Sequence, residues 1–581
     1  MKLSIQNTFY SIFFFVLTAC SGSGGDPGGP RNPKADLASL AFNTKTTLDD
    51  NFQPDQMVYM ATVNFNTSSI KITPEVLNPG STVTINSLPV TPGTASETIT
   101  LVHGSSNIID IVVTAPDSTI SSTYSIDIVR LDPSSFNSSD VLRLTSNPPN
   151  AKDAFGSQIS ISGDTLAVGV PSTLNNAAGS VYIYERTNNN FWGYKTTITA
   201  SNADNADKFG SSISLSGHTL IVGAPFEDSK STGVNGNQFD EDIIDNPDGS
   251  TSEGNIGAAY VYKRVPGTTD WIEQAYLKPS SPIKNINRNI LFGSSVAADG
   301  DTVAVSAKFE KGDASGVNNP NIDRLTKAGA VFVFTRNGSS WTQQAYIKAS
   351  NTGQEDRFGS SLSLSGDSLA VGARFEDSNA TGINGDQSNN GADGSGAVYV
   401  FTRTGSTWSQ QAYVKASNTE SGERLKEDQF GFSVAIDGDT LAVGSKNEDS
   451  YGYGVATVEG VQEDNSVPNS GAVYIYKRNA GNWSQEAYLK SANSEIAGNF
   501  GWSVALSGDM LAVGAPGEEF ASGTVHFFTR SGSDWSQQDP KKVPHSSPRP
   551  RFGISVELDS GTLAGSSPEA DDGKGAVFLF R

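Results

Sequence analysis

The stretch Phe358–Ala373, FGSSLSLSGDSLAVGA, decides the fold. Leu362 and Leu364 alternate with serines, Gly366 and Asp367 interrupt the run, and Leu369 and Val371 then alternate with Ala370 and Gly372. A period of two on both sides of a Gly-Asp pair describes a tight antiparallel hairpin. Related phrases begin at Phe155, Phe209, Phe292, Phe430, Phe500 and Phe552, so the phrase occurs seven times, at intervals of 52 to 83 residues. After Ala373 comes a loop rich in Gly, Asn and Asp, then GAVYVFTR (Gly396–Arg403), a turn, and TWSQQAYVKAS (Thr407–Ser417). Each unit therefore holds four antiparallel strands, which predicts one propeller blade per repeat. The fold class is all-β, a seven-bladed β-propeller preceded by a small β-sandwich.

The small residues explain the repetition. Blades stack face to face about an axis, so Ser, Ala and Gly near it face the bulkier Leu, Val and Phe of the next blade, and a lone blade leaves both faces bare. Six repeats end in a strand that begins near Trp192, Trp271, Trp341, Trp408, Trp483 or Trp535, whereas the seventh stops at GAVFLFR (Gly575–Arg581). Its fourth strand is expected from DVLRLTSNPPNAKDAFG (Asp140–Gly156), which aligns with AYVKASNTESGERLKEDQFG (Ala412–Gly431). Residues 141–146 should then complete the last blade and close the ring.

With Phe-Gly opening each repeat and VGAP at Val222–Pro225 and Val513–Pro516, residues from about 140 to 581 resemble the FG-GAP repeats of the integrin alpha-subunit propeller. The resemblance implies a propeller and an adhesion-like role, although fold alone does not carry function. One departure matters. The calcium loops of that family lie between the FG strand and the GAP strand and need several oxygens from one short segment. Here that connection is only a turn, such as SGDS at Ser365 or DGDT at Asp437, so those calcium residues have no counterparts. Acid collects instead between the second and third strands, where Glu227, Asp228, Glu376, Asp377, Glu448 and Asp449 recur at one place in three repeats. These loops should share a strongly negative rim with the segments entering each FG. The six acids are candidate calcium ligands, a site for a basic partner, or turn chemistry with solvated charge.

Ahead of the repeats, residues 1–19 read as a signal peptide: Lys2 gives a thin positive start, and the apolar run Phe9–Leu17 is too short to span a bilayer. Leu17, Thr18, Ala19 and Cys20 resemble a bacterial lipobox, so Cys20, the single cysteine, is the expected lipidation site, and residues 20–34 form a flexible linker. Lipid there implies a membrane partner through the anchor and a cell-envelope address, at the outer membrane or cell surface. Residues 35–131 alternate Thr, Ser and Val with Ile between turns such as NPGS and APDS, predicting a β-sandwich of about seven strands. LASLAFN, FQPDQMVYMATV and the run from Gly104 to Arg130 resemble the bacterial cadherin-like β-sandwich domain, without the acidic motifs that hold calcium in true cadherins. The propeller takes residues 132–581.

A net charge of −22 would repel nucleic acid. One cysteine excludes an internal disulfide, and His103, His218, His526 and His545 are too scattered for an imidazole metal site. No nucleophile elbow, Walker loop or dinucleotide fingerprint occurs. The box FTRTGSTW (Phe401–Trp408) has Arg403 where a glycosidase Asp-box needs acid. The reading is therefore a non-catalytic, monomeric, surface-anchored lipoprotein whose rim loops bind a protein or glycan. The alternatives are a propeller hydrolase or lyase acting on glycans, and a structural spacer. Calcium is the one candidate cofactor.

Overall fold

The computed structural model describes residues 35–580 apart from 44–46, 49–51, 64–66, 103–105, 131–140, 147–152, 172–177, 187–191, 240–242, 246–250, 266, 281–288, 320–323, 421–426, 457–461, 463, 544–548 and 560. The expected signal peptide, lipidation site Cys20 and linker lie outside the described residues.

In the first unit a six-stranded sheet runs in the order Thr47–Leu48, Val58–Val63, Ser121–Arg130, Ser106–Thr114, Thr82–Ile85, Leu88–Val90. Leu37–Phe42 pairs with Ile72–Val76, and Ser69–Ile70 with Ile99–Thr100. Among the described residues ten strands form where about seven were expected, because four of them are pairings of only two or three residues. Leu37, Tyr59, Ile72, Ile109, Ile111 and Ile126 fill its core.

Seven further sheets of four principal strands follow, one for each repeat. In blade 4 the strands are Ser361–Ser365, Ser368–Ala373, Ala397–Thr404 and Thr407–Val414, paired antiparallel in chain order. The first strands form the innermost ring: Ile159–Ser162, Ser212–Ser216, Phe292–Asp299, Ser361–Ser365, Ser433–Asp437, Ser503–Ser507 and Val556–Asp559 each contact the next, and the last contacts the first. Leu142–Leu144 pairs antiparallel with Val577–Leu579, so blade 7 takes its outer strand from ahead of blade 1. The ring is closed as the sequence predicts.

The hydrophobic core of the ring lies between blades. Seven clusters of buried side chains fill its seven interfaces. The closing cluster joins Leu144, Val577 and Leu579 of blade 7 to Phe155, Val168 and Trp192 of blade 1. Backbones approach closely enough there to require glycine. A Cβ on Gly372 would land on the carbonyl oxygen of Gly431, the FG glycine of the next blade. Gly396 (φ +82°) meets the carbonyl of Phe430 in the same way. These contacts are the physical reason that glycine stands at the Gly396 position in all seven blades and at the Gly372 position in every blade but the third, where Ser306 takes it.

Serine hydroxyls stitch the innermost strands together. Ser160 Oγ accepts from Leu215 N–H and Ser363 Oγ from Ile436 N–H, both at 3.0 Å. On the rim of the Gly-Asp hairpins, Ser365 Oγ accepts from Gly438 N–H (3.1 Å) and Asp437 Oδ2 from Gly508 N–H (2.7 Å). Asp367, the acid of the turn, accepts from Arg403 Nε at 2.7 Å. Arg403 lies over Trp408, 5.2 Å from the ring centroid, and its Nη1 donates to Thr302 of blade 3 at 3.0 Å. The arginine that breaks the Asp-box likeness is thus a clamp between blades, and Arg336, Arg478 and Arg530 repeat it.

Candidate functional site

The opposite rim, where each FG phrase enters, carries every connection from second to third strand. Those connections are short in blades 1, 6 and 7, spanning 171–179, 516–523 and 568–575. They are long in blades 2 to 5, spanning 225–257, 308–329, 374–396 and 446–471. In all four the long loop folds back across the blade edge and bridges its outer strand: Val234 to Leu277, Val317 to Ile347, Ile383 to Val414, and Val455 to Leu489. An exposed strand edge is thereby covered.

At the root of each long loop stands a buried glutamate facing a buried lysine from the end of the fourth strand. The pairs are Glu227–Lys278 (2.5 Å), Glu310–Lys348, Glu376–Lys415 and Glu448–Lys490 (each 2.8 Å). All four lysines are 0% exposed. In blade 4, Lys415 Nζ also donates to Ser395 Oγ (2.7 Å), while Tyr413 O–H and Asn351 Nδ2–H both donate to Glu376 Oε1 at 2.8 Å. Asn351 belongs to the connection leaving blade 3, so the network ties neighbouring blades as well as the loop. Burial pushes each lysine ammonium below its ordinary range, and the facing glutamate opposes that. Blade 6 varies the theme with Glu518 against His526 Nε2 at 2.8 Å, both buried.

This geometry corrects the reading of the rim acids. Glu227, Glu376 and Glu448 are each 1% exposed and spend their oxygens on lysine, tyrosine and asparagine, so they do not fit a rim calcium site. Asp377 and Asp449 are half-buried and accept backbone N–H from their own loops, at Gly394 (2.8 Å) and Asn469 (2.6 Å), which is turn chemistry. Asp228 is half-buried at the equivalent place. Among the described residues no three His, Cys, Asp or Glu side chains are grouped as a metal ion requires. Glu310 was missed because lysine follows it where aspartate follows the others. The lysines were missed too, although AYLK, AYIK, AYVK and AYLK end the same four repeats and a charge recurring beside apolar strand residues needs a buried partner.

A second acid stands beside each of three pairs. Burial first, then the charge of Glu227, pushes the Asp207 carboxyl up to about 7; burial and Glu376 push Asp356 up to about 8. Asp428 is raised for the same reasons, with Glu448 as the neighbour. The axis of the ring is a channel of about 450 Å³, lined by serines from every blade together with aliphatic side chains. Glu557 lines it, its carboxyl pushed up to about 8 by burial and then by Asp559.

The family model described as a cadherin-like beta sandwich domain matches residues 37–131. The FG-GAP repeat model matches 139–184, 192–239, 341–401, 408–476 and 483–528. Blades 3 and 7 rest mostly outside those matches, and the structure supplies them. No curated protein matches the chain. Among solved structures, a Saccharomyces cerevisiae complex of Dbp5 with Nup159, Gle1, IP6 and ADP is similar at 11% identity, covering 76% of this chain and 93% of that one, with a TM-score of 0.32. A Lactobacillus plantarum protein is similar at 11% identity, covering 70% and 89%, with a TM-score of 0.39.

Proposed function

This chain is an FG-GAP repeat β-propeller protein with a cadherin-like β-sandwich ahead of it, and on that ground we propose a non-catalytic adhesion scaffold. In this reading lipid on Cys20 holds it at the bacterial cell envelope, and the FG rim of the propeller meets a protein or glycan. One observation carries the proposal: the long loops are confined to blades 2 to 5, and each is fixed at its root by a buried Glu–Lys pair and at its middle by a bridge to the outer strand. Loops held in this way on a rigid frame lose little freedom when a ligand docks, which is the advantage of preorganised binding.

The test uses cells that produce the full chain. Radiolabelled fatty acid should be incorporated into the wild type and not into Cys20→Ala, and protease added to intact cells should remove the propeller. Cells carrying the protein should adhere to an array of matrix proteins and glycans more than cells lacking it. Equal adhesion across the whole array would overturn the binding reading, and labelling of Cys20→Ala would overturn the anchor.

A further inference from the structure

The residue that directly follows the second strand is proline in four blades: Pro171, Pro225, Pro516 and Pro568. In the three consecutive blades 3, 4 and 5 it is basic: Lys308, Arg374 and Lys446. Arg357 and Arg551, each directly before an FG phrase, extend the group towards its two sides. In a chain of net charge −22 this clustering of cations stands at the centre of a rim whose loops the sequence predicts to be strongly negative.

Aromatic rings interleave the cations. Arg357 lies over Phe375 at 4.3 Å, and Arg374 over Phe375 at 4.9 Å and Phe432 at 5.2 Å. Lys446 lies over Phe432 at 4.9 Å and Trp502 at 5.3 Å, and Arg551 over Trp502 at 5.1 Å. Arg374, Phe432 and Trp502 also line the channel, so the cluster forms its mouth. Phe432 and Trp502 are half-buried and belong to no hydrophobic cluster between blades. They stand directly after the FG glycine, where blades 1 to 4 have serine.

Two observations point to a missing anion. The Nε–H groups of Arg357 and Arg374 are buried and have no acceptor among the described residues. Among the described residues Lys308, Arg357, Arg374 and Lys446 form no salt bridge, whereas the nearby carboxylates Glu355 and Glu569 are engaged by Lys327 and Arg551. Glu427 draws on Arg374 and Lys446 only at a distance and is bonded by Gln429. Unpaired, crowded cations are costly: burial and then mutual repulsion hold Lys308 and Lys446 down at about 8 and Arg374 at about 10. A ligand bearing several acid groups would relieve that repulsion.

We propose that this mouth binds an anionic saccharide, one carrying carboxylate or sulfate groups, with Arg357, Arg374 and Lys446 on the acid groups and Phe432 and Trp502 against the sugar faces. The choice of sugar over an acidic peptide rests on the channel beneath, whose wall carries thirteen serines drawn from every blade and so sets rings of hydroxyls among its aliphatic side chains. The proposal deepens the adhesion reading by naming the ligand class, and rests on it.

The experiment titrates the full chain in detergent by calorimetry with a uronate oligomer, a sulfated oligosaccharide, a neutral oligosaccharide of equal length and a polyglutamate peptide. At least one acidic saccharide should bind, tenfold or more tighter than the neutral one, and weaken with salt as ion pairing requires. The double substitution Arg374→Gln with Lys446→Gln should weaken it at least tenfold, Arg374→Lys less, and all variants should keep the wild-type melting temperature within a few degrees. Binding of no acidic saccharide, binding equal in the double variant, or binding of polyglutamate alone would each overturn the proposal. Cell adhesion that survives the double substitution would sink this site while leaving the adhesion reading intact, and absence of both adhesion and acidic-saccharide binding in the wild type would sink both.

Discussion

Replacing Lys415 by Met isolates the force that holds a long rim loop to its blade. Lys415 is wholly buried and gives Glu376 an ion pair at 2.8 Å and Ser395 a hydrogen bond at 2.7 Å. Methionine keeps much of the stem's volume and removes the charge. Breaking a buried pair by taking one partner costs about 3–5 kcal/mol. A buried carboxylate that has lost its cation can escape by taking up a proton, at about 1.4 kcal/mol for each pH unit above the ordinary glutamate pKa near 4.3. The ceiling from that route is about 4 kcal/mol at pH 7 and about 1 kcal/mol at pH 5. The loss should therefore be near 4 kcal/mol at neutral pH and should shrink on acidification. Denaturant melts at the two pH values measure it. Glu376→Leu combined with Lys415→Met should recover most of the stability, to within about 2 kcal/mol of the wild type, because no lone charge then remains inside. A loss below about 0.5 kcal/mol at pH 7, or an equal loss at both pH values, would refute the reasoning.

Three other perturbations probe the frame. Gly372→Ala should cost several kcal/mol, roughly 3 or more, because the added methyl meets the backbone oxygen of Gly431 rather than a side chain that can turn aside; a melt within about 1 kcal/mol of wild type would contradict this. Leu144→Asp places a charge in the cluster that joins blades 7 and 1, and hydrogen exchange should accelerate first at Ala576–Phe580; uniform acceleration through all blades would argue against a local seam. Asp356 is protonated near neutrality in the folded protein, about 8 against about 3.9 unfolded. Its contribution is complete below pH 4 and is lost as pH rises towards 8, at about 1.4 kcal/mol per unit. Asp356→Asn should flatten that part of the stability profile, and an unchanged slope would show that other groups set it.

The ring was legible because its rule is local and repeated: alternation around Gly-Asp, the FG start, and a displaced outer strand whose sequence still matches LRL to its counterparts. The site was less so. A Glu-Asp pair in an acidic loop looks solvated when read along the chain, and only the fold brings Lys415 across from the end of another strand. The turn Asp367 was read as a plain hairpin residue, yet it holds Arg403, which reaches the neighbouring blade. The basic mouth escaped notice for a similar reason. Lys308, Arg374 and Lys446 lie 66 and 72 positions apart, each beside acids that mask it in any running sum of charge, and they converge only around an axis.

The seam between Leu142–Leu144 and Val577–Leu579 has a kinetic corollary. Every other blade is assembled from strands that follow one another in chain order, so six blades are free to nucleate from neighbours as the polypeptide emerges. The seventh must wait for partners from opposite extremes of the propeller, and such distant encounters are slow. Until they meet, the molecule is an arc with two sticky ends, vulnerable to capture by a second arc or by a protease. Once they have met, a cut in any rim loop leaves the hoop whole.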